Sequence, residues 1–275
     1  MPQIPVQSVD DPRLATYREL SQRNLTRYSG LFVAEGEKVV ERLIASDFEV
    51  ASILAEPAFA EKYEPQVSPD VPIYVASREL LEKTVGFNFH RGVVACGRRK
   101  PAVPLAQIME SLSQPRPTII ACPDVQDPTN LGSIIRSAAA FGCSCVLLGS
   151  KCADPFSRRV LRVSMGAALQ LPIIESRDLA ADLKQVAATD FELIAAVIDR
   201  ATEPLASAGR GERLALLLGS EGHGLSSEWL ELAHRRVTIP MQLGIDSLNV
   251  AVAAAVLLYH FCRDQTPSPP GRGPG

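Results

Sequence analysis

The sequence predicts an α/β protein: a mostly parallel sheet with helices on both faces, preceded by a smaller α/β domain. Three observations carry this. From residue 118 onward, short apolar runs alternate with helical segments, as in parallel sheets covered on both sides. Pro101, Pro104, Pro115 and Pro117 interrupt the chain between two such regions. A second breaker-rich stretch, TPSPPGRGPG, closes the sequence, with too little apolar surface to order itself. The expected organisation is a domain over 1–100, a linker carrying a short helix over 101–117, a domain over 118–264 and a disordered tail over 265–275.

The elements follow in order. GEKVVERLIAS places Val39, Val40, Leu43 and Ile44 at helical spacing. VASILA and PIYVAS are strands, SRELLEKTV is a helix capped by Ser77, and GVVACGRR is a closing strand. In the second region TIIAC is a strand, and NLGSIIRSAAAFG is a helix with Leu131, Ile134, Ile135 and Ala138 on one face. CSCVLLG, LPIIES, FELIAAVI, LALLLG and RVTIP are strands. PFSRRVLRVSMGAAL is helical in part, DLAADLKQVAAT is a helix with an Asp cap, SSEWLELAHR is a helix, and SLNVAVAAAVLLYHF is a helix opening after Ser247. That last helix is apolar on nearly all sides and is expected to be buried. In an open parallel sheet, ligands sit beyond the carboxyl ends of the strands. The loops after Cys122, Leu218 and Ile239 are therefore the first places to look.

Composition narrows the function. The 275 residues are 46% hydrophobic and 21% charged, which suits a soluble globular chain. The net charge of −3 gives no global attraction for nucleic acid, so any such partner must be held by local patches. The basic clusters Arg98-Arg99-Lys100, Arg158-Arg159 with Arg162, Arg235-Arg236 and the spread Arg13, Arg18, Arg23, Arg27 read first as solvated faces. None of the six cysteines has the C-x-x-C spacing of a zinc or redox site. They read as small buried hydrophobes, and Cys143 and Cys145, two apart in a strand-like run, should share a side. The N-terminus carries no signal pattern. The longest apolar run, Val250 to Leu258, falls far short of the about 20 residues that a membrane span needs. A reducing, cytoplasmic setting with no metal and no membrane is expected.

Three loops carry candidate chemistry. In DPTNLGSIIRSAAAFG, Asp127, Thr129 and Asn130 crowd a helix entrance, and any of them can cap it. Arg136 lies roughly 140° around the helix from Leu131, off the apolar stripe. There it is either solvated or a clamp for phosphate or carboxylate. In LLLGSEGHGLSSEWL, glycines flank the lone carboxylate Glu221. Gly219 lets the backbone approach a flat ligand, or simply serves a tight strand-to-helix turn. Neither a Walker loop nor a dinucleotide fingerprint is present. Glu221 is costly to bury without a cation, and His223 reads as a turn histidine. In IPMQLGIDSLNVAVAAAVLLYHF, Ser247 and Asn249 are the polar groups at the mouth of the helix; Ser247 reads either as its plain N-cap or, with Asn249, as a group that needs a hydrogen-bonding partner at a buried entrance. Met241 and Leu243 are apolar wall material.

NLGSIIRSAAAFG, LLLGSEGHGLS and IPMQLGIDSLNVAVAAAVLL, in this order, resemble the three motifs of the SpoU (TrmH-type) RNA ribose 2′-O-methyltransferases. The region from RNLTRYSGLFVAEGEKVVERLIAS to HRGVVACGRR resembles the ribosomal-protein-L30e-like substrate-binding domain that many members carry, with FNFHRGVVA in place of the usual polar turn. The resemblance implies S-adenosylmethionine as cofactor, held in a C-terminal trefoil knot. It maps the cofactor contacts onto Gly219, Ile239 and Leu248, with Leu218 and Met241 nearby, and the reaction site onto Asn130, Arg136, Glu221, Ser247 and Asn249. It further implies an RNA substrate, ribosomal or transfer RNA, and a homodimer. The Ala-rich last helix and Arg158, Arg159 and Arg162 are candidates for the dimer interface and RNA face.

Within that resemblance Arg136 is the critical group, gripping a phosphate and the reacting oxygen. A guanidinium does not lose its proton in proteins, so its role is electrostatic. Two rival functions make different demands on the sequence. A non-catalytic RNA-binding protein predicts a damaged cofactor loop or a missing Arg/Asn pair. A nucleotide-dependent oxidoreductase predicts an early G-x-G-x-x-G, where this chain has DPTNLG.

Overall fold

Five strands of the N-terminal region form one sheet: β1 (Gln3–Pro5), β2 (Leu31–Glu35), β3 (Val50–Ala55), β4 (Ile73–Val75) and β5 (Val93–Arg98), in the order β1-β4-β3-β5-β2. The computed structural model describes residues 3–18, 29–86, 89, 92–199, 201–220, 222–242 and 247–263. Strand β5 runs antiparallel to β2 and β3, and the other pairs are parallel. Helices α1 (Glu37–Ile44), α2 (Pro57–Tyr63) and α3 (Arg78–Val85) accompany the sheet. Val39, Val40 and Leu43 of α1 are buried, as their spacing predicts. Ser77 caps α3, its hydroxyl accepting from the Leu80 N–H at 3.3 Å. Of the FNFHR stretch only Phe89 is described, and it is buried.

The chain continues through α4 (Leu105–Ser111), β6 (Thr118–Cys122), α5 (Pro128–Ala140), β7 (Cys145–Leu148), α6 (Arg158–Val163), β8 (Ile173–Glu175), α7 (Leu179–Ala187), β9 (Glu192–Val197), β10 (Glu203–Pro204), β11 (Leu214–Leu217), α8 (Ser227–Leu232), β12 (Arg235–Thr238) and α9 (Val250–Cys262). A seven-stranded sheet takes the order β10-β12-β9-β11-β6-β7-β8. Every pairing in it is parallel. Side chains alternate across such a sheet. Ile119, Ala121, Leu147, Leu193, Ala215 and Leu217 join Leu105 and Met109 of α4 and Leu179, Leu183 and Val186 of α7 in one apolar cluster. Ile120, Val146, Ile194 and Leu216 point the other way and are fully buried too. Helices α5 and α9, which pack on each other, supply apolar faces for that side. This is the two-faced arrangement that the apolar runs predict.

Contacts group the chain into two units, Met1–Pro101 with Asp154–Gln170, and Ala102–Ala153 with Leu171–Gly275. The 154–170 segment, with α6, is thus built into the first unit. Arg158 pairs with the buried Glu35 at 3.0 Å, and Arg162 reaches the same carboxylate at 3.7 Å. Asp154, also buried, pairs with Arg99. Such carboxylates are tolerable inside a protein only with a cation in place. Other arginines of the basic clusters form surface or half-buried pairs: Arg13 with Asp11 at 2.5 Å, Arg98 with Glu49 at 3.1 Å, and Arg235 with Glu192 and Glu203 at 2.7 Å each. Arg23 and Arg27 lie outside the described residues.

All six cysteines are free and buried. Cys143 and Cys145 do not share a side. Strand β7 begins only at Cys145, which joins the cluster under α7, while Cys143 precedes it and meets Cys262 of α9.

Candidate active site

Strands β9, β11 and β12 lie side by side and parallel, so their carboxyl ends open together. Beyond those ends lies a solvent-open cleft. Leu218, Gly219, Ile239, Met241 and Leu248, the five residues mapped to the cofactor, all line it, as does Ser247. Val197, Val250 and Leu257 extend the apolar wall. The sequence reading does not pick out the β9 end, Val197 and Ile198, although the strand-end rule that pointed to the loops after Leu218 and Ile239 applies equally to FELIAAVI.

A small hairpin closes one side of the cleft. The Ser220 N–H donates to the Gly224 carbonyl at 3.1 Å, and the Gly224 N–H returns to the Ser220 carbonyl at 3.0 Å. A Cβ on Gly219 would lie 2.3 Å from the Gly224 carbonyl carbon and 2.6 Å from the Leu225 nitrogen. Glycine at 219 is thus demanded by the closure of its own loop, in addition to its place on the cleft wall. Gly224 takes a left-handed φ of 64°, which glycine adopts without steric cost. His223 is exposed, and its N–H donates to the Ser220 hydroxyl at 3.3 Å. Glu221 lies outside the described residues, as does Leu243.

The two asparagines meet at the mouth. Asn249 caps α9, its side-chain oxygen accepting from the N–H groups of Ala251 at 2.9 Å and Val252 at 3.4 Å. Its Nδ2 donates to Asn130 Oδ1 at 2.9 Å. Asp127 caps α5, accepting from Thr129 at 2.6 Å and Asn130 at 3.0 Å. This corrects one expectation: Ser247 is not the cap. The helix begins at Val250, because Asn249 reaches two free N–H groups while Ser247 lies exposed along the cleft. A second correction concerns α9, expected to be buried all round. Val252, Val256 and Tyr259, a stripe at positions i, i+4 and i+7, are 49%, 39% and 61% exposed.

Arg136 is exposed on α5, off the buried stripe as its position predicts. It has no partner among the described residues and is not among the residues lining the cleft. Among the described residues no group of three or more His, Cys, Asp or Glu is placed to hold a metal ion. No described helix is long and apolar enough to cross a membrane.

The family model for the SpoU rRNA methylases matches residues 117–259. The chain belongs to the SpoU rRNA methylase family. A second model, for an MRM3-like substrate binding domain, matches residues 11–88. An uncharacterized tRNA/rRNA methyltransferase of Mycobacterium bovis is 37% identical over 263 residues, covering 92% of this chain and 90% of the relative. The 23S rRNA (guanosine-2′-O-)-methyltransferase of Acinetobacter baylyi is 32% identical over 199 residues, covering 71% and 79%. A crystal structure of an AdoMet-bound rRNA methyltransferase from Sinorhizobium meliloti matches with a TM-score of 0.82 at 25% identity, over 96% of this chain and 98% of that one. The SpoU match spans the whole seven-stranded sheet, the cleft and both asparagines.

Proposed function

We propose that this SpoU chain transfers the methyl group of S-adenosylmethionine to a ribose 2′-hydroxyl of RNA, ribosomal RNA ahead of transfer RNA. One observation carries it: the cleft at the ends of β9, β11 and β12 is lined by glycine backbone and apolar side chains, with the Asn130–Asn249 pair beside it at the head of α9. The ribosomal preference follows the RNA named for the Acinetobacter relative. Such an enzyme would work in the cytoplasm.

The cleft fits the donor. Its wall is mostly apolar with few polar groups, as small-molecule sites are. Leu218, Met241 and Leu248 would flank the adenine ring, while main-chain atoms at Gly219, Ile239 and Leu248 would bond its edge. When bound, the cofactor supplies a methyl group already activated by its sulfonium.

The chain's own contribution is placement and charge. Asn249 is held by capping α9 and holds Asn130 in turn, so the pair is a fixed polar mouth that would orient the ribose. Arg136 would grip the phosphate beside that ribose and stabilise negative charge growing on the oxygen. It stays protonated, and the hydroxyl proton leaves to water or phosphate. Ser247 would bond the sugar or the donor at the rim, and Glu221 would pair with a basic group or hold its loop.

The domain assignment is part of the proposal: 1–100 as the RNA-binding domain, 101–117 as linker, 118–264 as the catalytic domain with a trefoil knot in its C-terminal part, and 265–275 as tail. So is a homodimer formed over the apolar stripe Val252, Val256 and Tyr259, a surface whose exposure would otherwise be unexplained.

Arg136→Ala is the test. Donor binding by calorimetry should persist, NAD should not bind, and methyl transfer should fall by about 100-fold or more. Transfer within a few-fold of wild type would remove Arg136 from the mechanism. Sedimentation of the wild-type preparation at micromolar concentration should give the mass of two chains, and a monomer would end the dimer proposal.

A further inference from the structure

A second, solvent-open cleft lies on the far side of the Ser220–Gly224 hairpin. Ser220 and Gly224 line both clefts, so the hairpin is a shared wall. The second cleft sits over the ends of β6, β7 and β8, where Pro123, Gly149 and Ser176 line it. Strands β7 and β8 pair with Leu148 opposite Glu175, so the loops that follow them leave the sheet about 5 Å apart. Those loops bring Lys151 and Arg177 to one cleft. Both are exposed, and neither has a partner among the described residues.

Trp229 faces the same space. It is the only tryptophan of the chain. Partly buried, it packs against the apolar cluster under α7 and also lines the cleft. Three acids, Asp124, Asp178 and Glu228, share the lining with these two cations. The Asp178 carboxylate is engaged in capping α7, accepting from the Ala181 N–H at 3.0 Å, and Asp124 accepts from Gln126 at 2.8 Å. Asp178 and Glu228 are both exposed, and Lys151 and Arg177 are left without any partner among the described residues. Unpaired cations and a partly buried aromatic ring lining one cleft are the two ingredients of a single-strand platform, one for backbone phosphates and the other for a base.

We propose that this cleft holds a single-stranded segment of the RNA, one base stacked on Trp229 and the adjoining phosphates taken by Lys151 and Arg177. The assignment rests on the RNA-modifying function proposed above. It adds a place where the strand is held on the opposite side of the hairpin from the methyl donor.

The full chain would be titrated with fluorescein-labelled hexaadenylate, reading anisotropy and, with unlabelled strand, tryptophan emission. Because Trp229 is the sole tryptophan, its emission should be quenched as the strand binds. The double variant Lys151→Ala/Arg177→Ala, altered only at exposed positions, should bind the hexamer at least tenfold more weakly. Its plot of log affinity against log salt should be shallower by about 1.4, at about 0.7 for each phosphate no longer neutralised. Affinity for S-adenosylmethionine should stay the same in the double variant. Three results would overturn the proposal: no hexamer binding, binding with unaltered tryptophan emission and equal affinity in the variant, or adenosine monophosphate binding as tightly as the hexamer, which would make the cleft a free-nucleotide site. Failure of wild-type chain to bind S-adenosylmethionine while the strand still quenches Trp229 would count against the donor assignment alone.

Discussion

The two ends of the seven-stranded sheet are finished by opposite means. At the amino end, charges are matched with acceptors. Arg210 donates to the Thr118 hydroxyl at 2.8 Å and to the carbonyls of Phe261 and Arg116 at 3.2 Å and Pro117 at 3.3 Å. Arg235 at the start of β12 joins Glu192 at the start of β9 and Glu203 at the start of β10. At the carboxyl end Lys151 and Arg177 have no partner among the described residues, and the cleft wall is mostly apolar. One end spends its polar groups on fixing strand order and register. The other leaves them unpaired among the described residues. Substitutions at the two ends should therefore separate stability from activity.

The largest separation should come from Arg210→Ala. Several buried carbonyls and a hydroxyl would lose their donor, costing about 3 kcal/mol in chemical denaturation, while the folded fraction keeps donor affinity within about twofold. A loss under about 1 kcal/mol would break the contrast. Next is Gly219→Ala at the other end. The new methyl group meets the Gly224 backbone, so the hairpin must shift and affinity for S-adenosylmethionine should fall about tenfold, about 1.4 kcal/mol, with the denaturation midpoint nearly unmoved. Unchanged affinity by calorimetry would mean that the hairpin does not shape the cleft.

The smallest effect is a pH dependence of the amino end. The hydrogen bond from Cys143, with further help from Thr118 and the Arg210 charge, draws the Cys262 thiol down to about 6, against burial. The same bond, with burial, pushes Cys143 up. A lowered thiol contributes stability that is complete above its unfolded value of about 8.5 and is lost as pH falls through about 6. A raised one does the reverse, its contribution fading as pH climbs beyond about 8.5. Stability should therefore rise from pH 6 to about 8.5 and decline above it. Cys262→Ser should flatten the rising limb, and an equally steep limb in that variant would assign it to other groups.

The sequence makes one end of the sheet far easier to read than the other. Strands such as Thr118–Cys122 and Leu214–Leu217 are buried throughout and almost wholly apolar because both faces are covered, and the strand-end rule then points at Gly219 and Ile239. The family motifs add Met241 and Leu248. Strands β1 and β10 are too short for any period to show. Ser247 and Asn249 precede the same Ala/Val run, and only the reach of the side chain to free N–H groups decides between them. The strand-end rule also points at the loop after Cys122, which lines the second cleft through Pro123 and Asp124. Nothing local shows that Lys151, Arg177 and Trp229 join it, because they come together only through the parallel pairing of β7 with β8 and the fold of the following helices. The ion pairs that tie down 154–170 join residues 55 and 123 positions apart, beyond any local pattern.

That segment has a consequence for taking the protein apart. A truncation in the proline-rich stretch near residue 101 looks like a clean cut between modules, yet it would carry off Arg99 and Glu35 while leaving Asp154, Arg158 and Arg162 behind. The remnant would hold an acidic group and two guanidiniums stripped of their counterions, along with Phe156 parted from the rings of Phe32 and Phe48. Any shortened gene intended to yield the methylase half by itself must either delete 154–170 as well or bridge the gap with a new turn.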